Sequence, residues 1–417
     1  MSRFKATLAP LKHRDFRRLW TGTFFATAGQ WIQQATLGWV VYDVTGSASV
    51  LGAVLGTRAI PMLLLAPVSG VVADRMDRRY ALAASQLLMV VVSIALSALL
   101  AFERVETWHL FAFSIFSGVS AVFDRTLRST LIFHSVPRND AANAVALNSV
   151  AFSVSRAVGP SVAGFLIGAM GAAWNFGIQA LLLMGVVMAA LSVQAGRLPA
   201  ASRRQTSAWE EMKEGFRFVA SDPVARMMVV LGLVPPLLLI PSFSALMPVF
   251  AADVFKAGPE GLGLMLSAVG VGGILGGLVA AWTSRYDQTG LVQMLALAVF
   301  AFSLVAFAVS PNVAVAVVFL AIAGIAEMVH HTVHVTTLQM CAPEHLRGRI
   351  ASLLPIFPAF ISIGALLAGV VADLLGPEMV VLLLSGLAIA VIVASWSKSS
   401  AVRELRMSRL IADAGDR

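Results

Sequence analysis

Long apolar runs separated by short polar gaps fill the chain from residue 19 to residue 396. A helix needs about 20 apolar residues to cross a bilayer. On that ruler the runs fall at 19–42, 50–73, 81–102, 108–123, 144–170, 174–193, 224–250, 261–282, 291–309, 314–340, 350–374 and 379–396. The pattern predicts an all-α integral membrane protein of about twelve transmembrane helices.

Composition sharpens the reading. Hydrophobic residues make up 58% of the 417 and charged residues only 12%, against roughly 25% charged in a soluble domain. With a mean hydropathy of +0.84, too little polar surface exists to face water, so lipid must cover the helices. The basic start MSRFKATLAPLKHRDFRRLW runs into the first span without a small-residue cleavage site and is read as a retained leader. The single cysteine, Cys341, excludes an internal disulfide framework and cysteine-based metal clusters.

The +8 charge does not point to nucleic acid once its distribution is followed. With a cytoplasmic N-terminus, 26 of the 30 Lys and Arg residues fall on the inner side. Arg104 and Lys256 lie outside, and Arg58 and Arg156 lie within spans. A missed or invented span would swap every later loop and destroy this positive-inside asymmetry. Both termini are therefore expected in the cytoplasm.

The longest inner loop divides the chain near its middle. Its WEEMKEGFRFV stretch has the alternation of a helix lying along the membrane surface. The expected organisation is a leader (1–18), a six-helix bundle (19–193), a linker (194–223), a second six-helix bundle (224–397) and a tail (398–417). An internal repeat supports the division: GVVADRMDRR at 70–79 is echoed by GGLVAAWTSRYDQ at 276–288, and PRNDAANAVALNS at 137–149 by PEHLRGRIASLL at 343–354.

These motifs resemble the major facilitator superfamily. GVVADRMDRR is similar to that family's loop between spans 2 and 3, with Asp77 where many members have glycine. The resemblance implies a gating role for Gly70, Asp74, Arg75, Arg78 and Arg79, with Arg125, Arg128 and the helix start near Gly348 as candidate partners of Asp74. RAVGPSVAG resembles the antiporter motif in span 5, here Arg156, Gly159, Pro160 and Gly164, without its upstream glycines. HRDFRRLW, FDRTLR, NAVALNS and LRGRIASL extend the likeness to the bacterial branch of enterobactin exporters and macrolide-efflux proteins. The resemblance implies two pseudo-symmetric bundles, a cavity lined by spans 1, 4, 7 and 10, a bacterial inner-membrane location and a functional monomer.

Those spans carry the unusual residues. Glu327, His330, His331 and His334 recur at helical spacing in span 10. An intramembrane carboxylate must face protein or water, and beside imidazoles it suits proton transfer. The same four side chains are possible ligands for zinc, nickel or copper, which keeps a metal exporter open; a single Glu-x-x-His lacks the second copy a di-iron site needs. Gln30, Gln33 and Gln34 share a face of span 1, with Trp31 beside them, and suit either substrate binding or interhelical hydrogen bonds. Phe113 sits in span 4, and Arg58 in span 2 needs a partner, for which Asp43 is the nearest candidate in sequence. Pro235, Pro236, Pro241 and Pro248 must bend span 7.

No G-x-x-x-x-G-K-[ST] loop is present, so ATP is not the direct energy source, and no cofactor is implied. The sequence thus points to a secondary transporter, not an enzyme. Its expected partners are protons, lipids and a small amphipathic substrate such as a drug or siderophore. An importer or lipid flippase of the same fold is the nearest alternative.

Overall fold

The computed structural model describes residues 8–193, 217, 219–283, 285–341, 357–399, 403–406 and 408. The linker stretch 194–216 and the repeat copy at 343–354, with Gly348, lie outside the described residues. So does the side chain of Asp74.

Among the described residues the architecture is wholly helical. The helices are α1 (Arg14–Thr45), α2 (Ala48–Thr57), α3 (Ala59–Arg75), α4 (Arg78–Ala101), α5 (Thr107–His134), α6 (Ala141–Met170) and α7 (Ala172–Ser192). Then follow α8 (Pro223–Val254), α9 (Gly258–Thr283), α10 (Thr289–Ala308), α11 (Val313–Cys341), α12 (Phe357–Leu375) and α13 (Pro377–Lys398). Among the described residues, ten helices are long and apolar enough to cross a membrane. The helix α1 is long enough, but its Gln and Thr residues reduce its apolar character.

Lipid-type surface is evident side chain by side chain. Leu181 is 75% exposed and Leu278 68% exposed, a loss of apolar burial that water would penalise and acyl chains would not.

Local chemistry sets the helix ends. Gly46 closes α1 at φ +59°, donating its N–H to the Tyr42 carbonyl, a left-handed turn that glycine takes without strain. Asp77 caps α4 by accepting from the Arg79 backbone N–H. Glu106 and His109 form a reciprocal box at the start of α5. The predicted second span is continued by α2 and α3, which meet at Arg58 with the backbone still helical (φ −58°, ψ −29°) and one turn's hydrogen bond missing. Pro61 explains this, because it has no N–H to offer the Thr57 carbonyl one turn earlier. The proline-rich span behaves similarly: α8 passes through wide π turns at Pro235–Leu239 and Phe250–Val254.

The chain forms two compact units. The first takes in the described residues up to Gly46, then Val54–Arg203 and Ala257–Ser267; the second takes in Ser47–Ala53, Arg204–Lys256 and Ala268 onward. In the first, α1 packs on α6 and α7, and α4 packs on α5 and α7. Small residues permit the close approaches. A Cβ on Gly159 would lie 2.8 Å from the Trp31 Cβ, and one on Gly164 3.0 Å from the Gly263 Cα. In the second unit, α10 packs on α11 and α13, and α12 on the bend in α8. There the carboxylate of Asp373 on α12 caps α2, accepting from the Ala48 N–H at 2.8 Å, the Ser49 N–H at 2.9 Å and the Ser47 hydroxyl at 2.7 Å.

Candidate functional site

In the first unit, α1, α4, α5 and α7 turn amides and hydroxyls inward, where hydrocarbon on all sides forces them to pair with one another. Gln179 donates to Gln33 Oε1 at 2.6 Å, and Gln33 donates to Ser117 Oγ at 2.7 Å. Asn175 donates to Thr36 Oγ1 at 2.8 Å and to the Ala163 carbonyl at 3.0 Å. All five side chains are buried. Beside this chain lies a carboxylate, Asp124, held by Arg128 from the next turn of α5. The Arg128 Nε donates to both Asp124 oxygens at 3.1 Å, and its terminal Nη2 donates to Oδ1. Gln86 on α4 adds a third donor group, at 2.9 Å.

These groups line a polar cavity of about 100 Å³ that includes Gln30, Gln33, Arg58, Gln86, Ser117 and Asp124. Gln30, Gln33 and Arg58 were legible as candidates. Gln34 is half-buried and lies off the cavity, while Phe113 is buried edge-on against Phe176, 5.1 Å between centroids. Trp31 lies under the guanidinium of Arg156 at 5.7 Å and against Phe152 at 5.8 Å. The pairing of Arg58 with Asp43 is not made: Asp43 is exposed on α1, and no ion pair among the described residues involves Arg58.

Sequence reasoning missed Asp124, Gln86, Gln179 and Asn175. The i, i+4 spacing of Asp124 and Arg128 was an available signal. The amides were concealed because their partners sit on other helices.

At the start of α4, Arg79 is tied to the capping Asp77 through Nε at 3.1 Å and Nη2 at 2.8 Å, and to the Val193 carbonyl at 2.7 Å. Arg78 is buried, whereas Arg75 and Arg125 are exposed. Arg128 is engaged by Asp124 on its own helix. Gly70 and Pro160 lie on α3 and α6, the latter buried.

In the second unit, the α11 residues grade from buried to exposed across one arc. His330 and His334 are buried, their rings stacked with centroids 5.5 Å apart. His334 Nδ1 lies 3.4 Å from Gln293 Nε2 on α10. Glu327 is half-buried and His331 exposed. Among the described residues no group of three His, Cys, Asp or Glu side chains converges as metal ligands. An apolar groove of about 730 Å³ also lies along α9, α10 and α11, but Leu295, Val299 and Ile322 in its wall are exposed side chains that a bilayer would cover.

Residues 5–413 match the family model of transmembrane secretion effectors. The chain belongs to that family, within the major facilitator superfamily. Among relatives, it is 28% identical to the multidrug efflux pump Tap of Mycolicibacterium fortuitum, covering 86% of this chain and 90% of Tap. It is 24% identical to the enterobactin exporter EntS of Shigella boydii, covering 82% and 81%. A solved structure of the nucleoside transporter NupG, in a point variant, superposes with a TM-score of 0.78 at 15% identity, over 92% of this chain and 99% of that one. The last likeness is one of fold. This secretion-effector family member is thus a multi-pass membrane transporter, as the motifs implied.

Proposed function

We propose that this protein is a proton-coupled exporter of small amphipathic molecules, working by alternating access through twelve spans with both termini in the cytoplasm. The observation that carries the reading is the run of similarity to a named efflux pump and a named exporter over more than four fifths of the chain. The polar cavity in the first unit supports it, since hydrogen-bonding groups in hydrocarbon are costly and mark substrate or ion pathways.

Two carboxylates within spans are suited to proton handling. Asp124 is already ion-paired with Arg128 and accepts a hydrogen bond from Gln86. Glu327 sits half-buried at the edge of the α11 arc, with His330, His331 and His334 on the turns that follow. We assign coupling to Glu327, with His330, His331 and His334 as accessory groups. Gly70, Asp74, Arg75, Arg78 and Arg79 form the gating loop of this reading, and Arg156, Gly159, Pro160 and Gly164 its antiporter-like packing element.

The test is efflux of fluorescent amphipathic dyes and siderophores from exporter-deficient cells, with and without an uncoupler. Uncoupler-sensitive efflux supports the reading. Accumulation in place of efflux would make the protein an importer.

A further inference from the structure

We propose that the cavity of the first unit is a subsite for an acidic group, and that the transported molecule carries a carboxylate that docks on Arg58. The proposal rests on the transporter reading and names the substrate class for it.

Arg58 lies ten residues beyond the start of α2 at Ala48, or about 15 Å along a helix. That is close to the middle of a hydrocarbon core about 30 Å thick, too deep for the guanidinium to escape by snorkelling. An arginine stays protonated there and presents five N–H donors. Arg58 is half-buried, its Nε is buried with no hydrogen-bond partner, and no ion pair among the described residues reaches it. The neighbouring charge that acts on it is another cation, Arg125. The one carboxylate lining the same cavity, Asp124, already takes donors from Arg128 and Gln86.

Burying an unpaired cation is expensive, and folds retain such a group where something arrives to pair with it. A carboxylate matches the guanidinium fork with two parallel hydrogen bonds. The side chain of Gln30 lines the same wall, while the Gln33 amide there is already engaged by Ser117 and Gln179. At about 100 Å³, the cavity accepts a terminal group and not a whole drug-sized ligand, which needs roughly 300 Å³ or more. The cavity therefore reads the acid end of a larger molecule.

The test uses purified full-length protein in detergent and three probes with one ring system: 2-naphthoate, its methyl ester and 2-naphthylmethylamine. Binding needs neither a gradient nor a transport direction, so the result stands apart from the proton-coupled export reading. The expected result is naphthoate binding roughly tenfold or more tighter than the ester, as one charge-assisted pair supplies. Arg58→Gln abolishes that preference, and Arg58→Lys retains part of it. Without ligand, Arg58→Met raises the melting temperature, because an unpaired, half-buried charge has been removed; a structural arginine would lower it. The proposal is overturned if the ester or the amine binds as well as the acid, if no probe binds, or if the preference survives Arg58→Gln. It is also overturned if chloride alone shifts the melting temperature in an Arg58-dependent way and naphthoate adds nothing, since the site then takes a free inorganic anion.

Discussion

Arg128 and Asp124 stand one turn apart on α5 and are joined through the arginine Nε to both carboxylate oxygens at 3.1 Å. The arginine is buried and the aspartate side chain about a quarter exposed. Removing one partner of such a pair leaves the other charge stranded. Asp124→Ala is expected to lower stability by about 2–3 kcal/mol, somewhat below the range for a fully buried pair. Replacing both, as Asp124→Leu with Arg128→Met, recovers most of that loss. Thermal unfolding of the four proteins in detergent checks this, and a double variant less stable than Asp124→Ala would refute it.

Two adjacent glycines in α9 should behave oppositely. A Cβ on Gly276 would lie 2.5 Å from the Ile325 carbonyl oxygen on α11, whereas a Cβ on Gly277 meets nothing within 4 Å. Gly276→Ala is therefore expected to destabilise the protein by about 1–3 kcal/mol through overpacking. Gly277→Ala is expected to be neutral or to gain up to about 1 kcal/mol from helix propensity. Equal melting temperatures for the two variants would contradict the helix packing described for the second unit.

The cap at α2 is supplied from a distant part of the chain. Asp373→Ala removes the acceptor of the Ala48 and Ser49 N–H groups and should cost about 1–2 kcal/mol. Asp373→Asn, which keeps one carbonyl acceptor, should cost less. Hydrogen exchange of the Ala48 and Ser49 amides is the direct readout: faster exchange in Asp373→Ala is expected, and unchanged exchange would contradict the cap.

The membrane class was legible because hydrophobic run length is a property of local sequence. GVVADRMDRR and RAVGPSVAG carried the resemblance for the same reason. The missing hydrogen bond at Arg58 was less legible, since Pro61 sits inside an otherwise continuous apolar run. The site was legible in part. Gln30, Gln33 and Arg58 are conspicuous because each is polar within a span. Gln86, Gln179 and Asn175 each look ordinary alone, and only tertiary packing sets them against Asp124, Gln33 and Thr36. The four α11 residues share a helical arc by spacing, but spacing does not reveal that Gln293 of α10 lies against His334 or that His330 and His334 are the buried pair. The Asp43–Arg58 pairing failed because closeness in sequence is not closeness across a break between helices.

The central claim is that proton flow drives substrate out. Purified protein in liposomes with an imposed pH gradient tests it, using amphipathic dyes whose charge is fixed across that gradient. Proton antiport predicts that dye accumulates in the acidic lumen above its level without a gradient. It also predicts that Glu327→Gln abolishes this accumulation while leaving dye exchange intact. Accumulation independent of the gradient, or directed into an alkaline lumen, would contradict proton-coupled export.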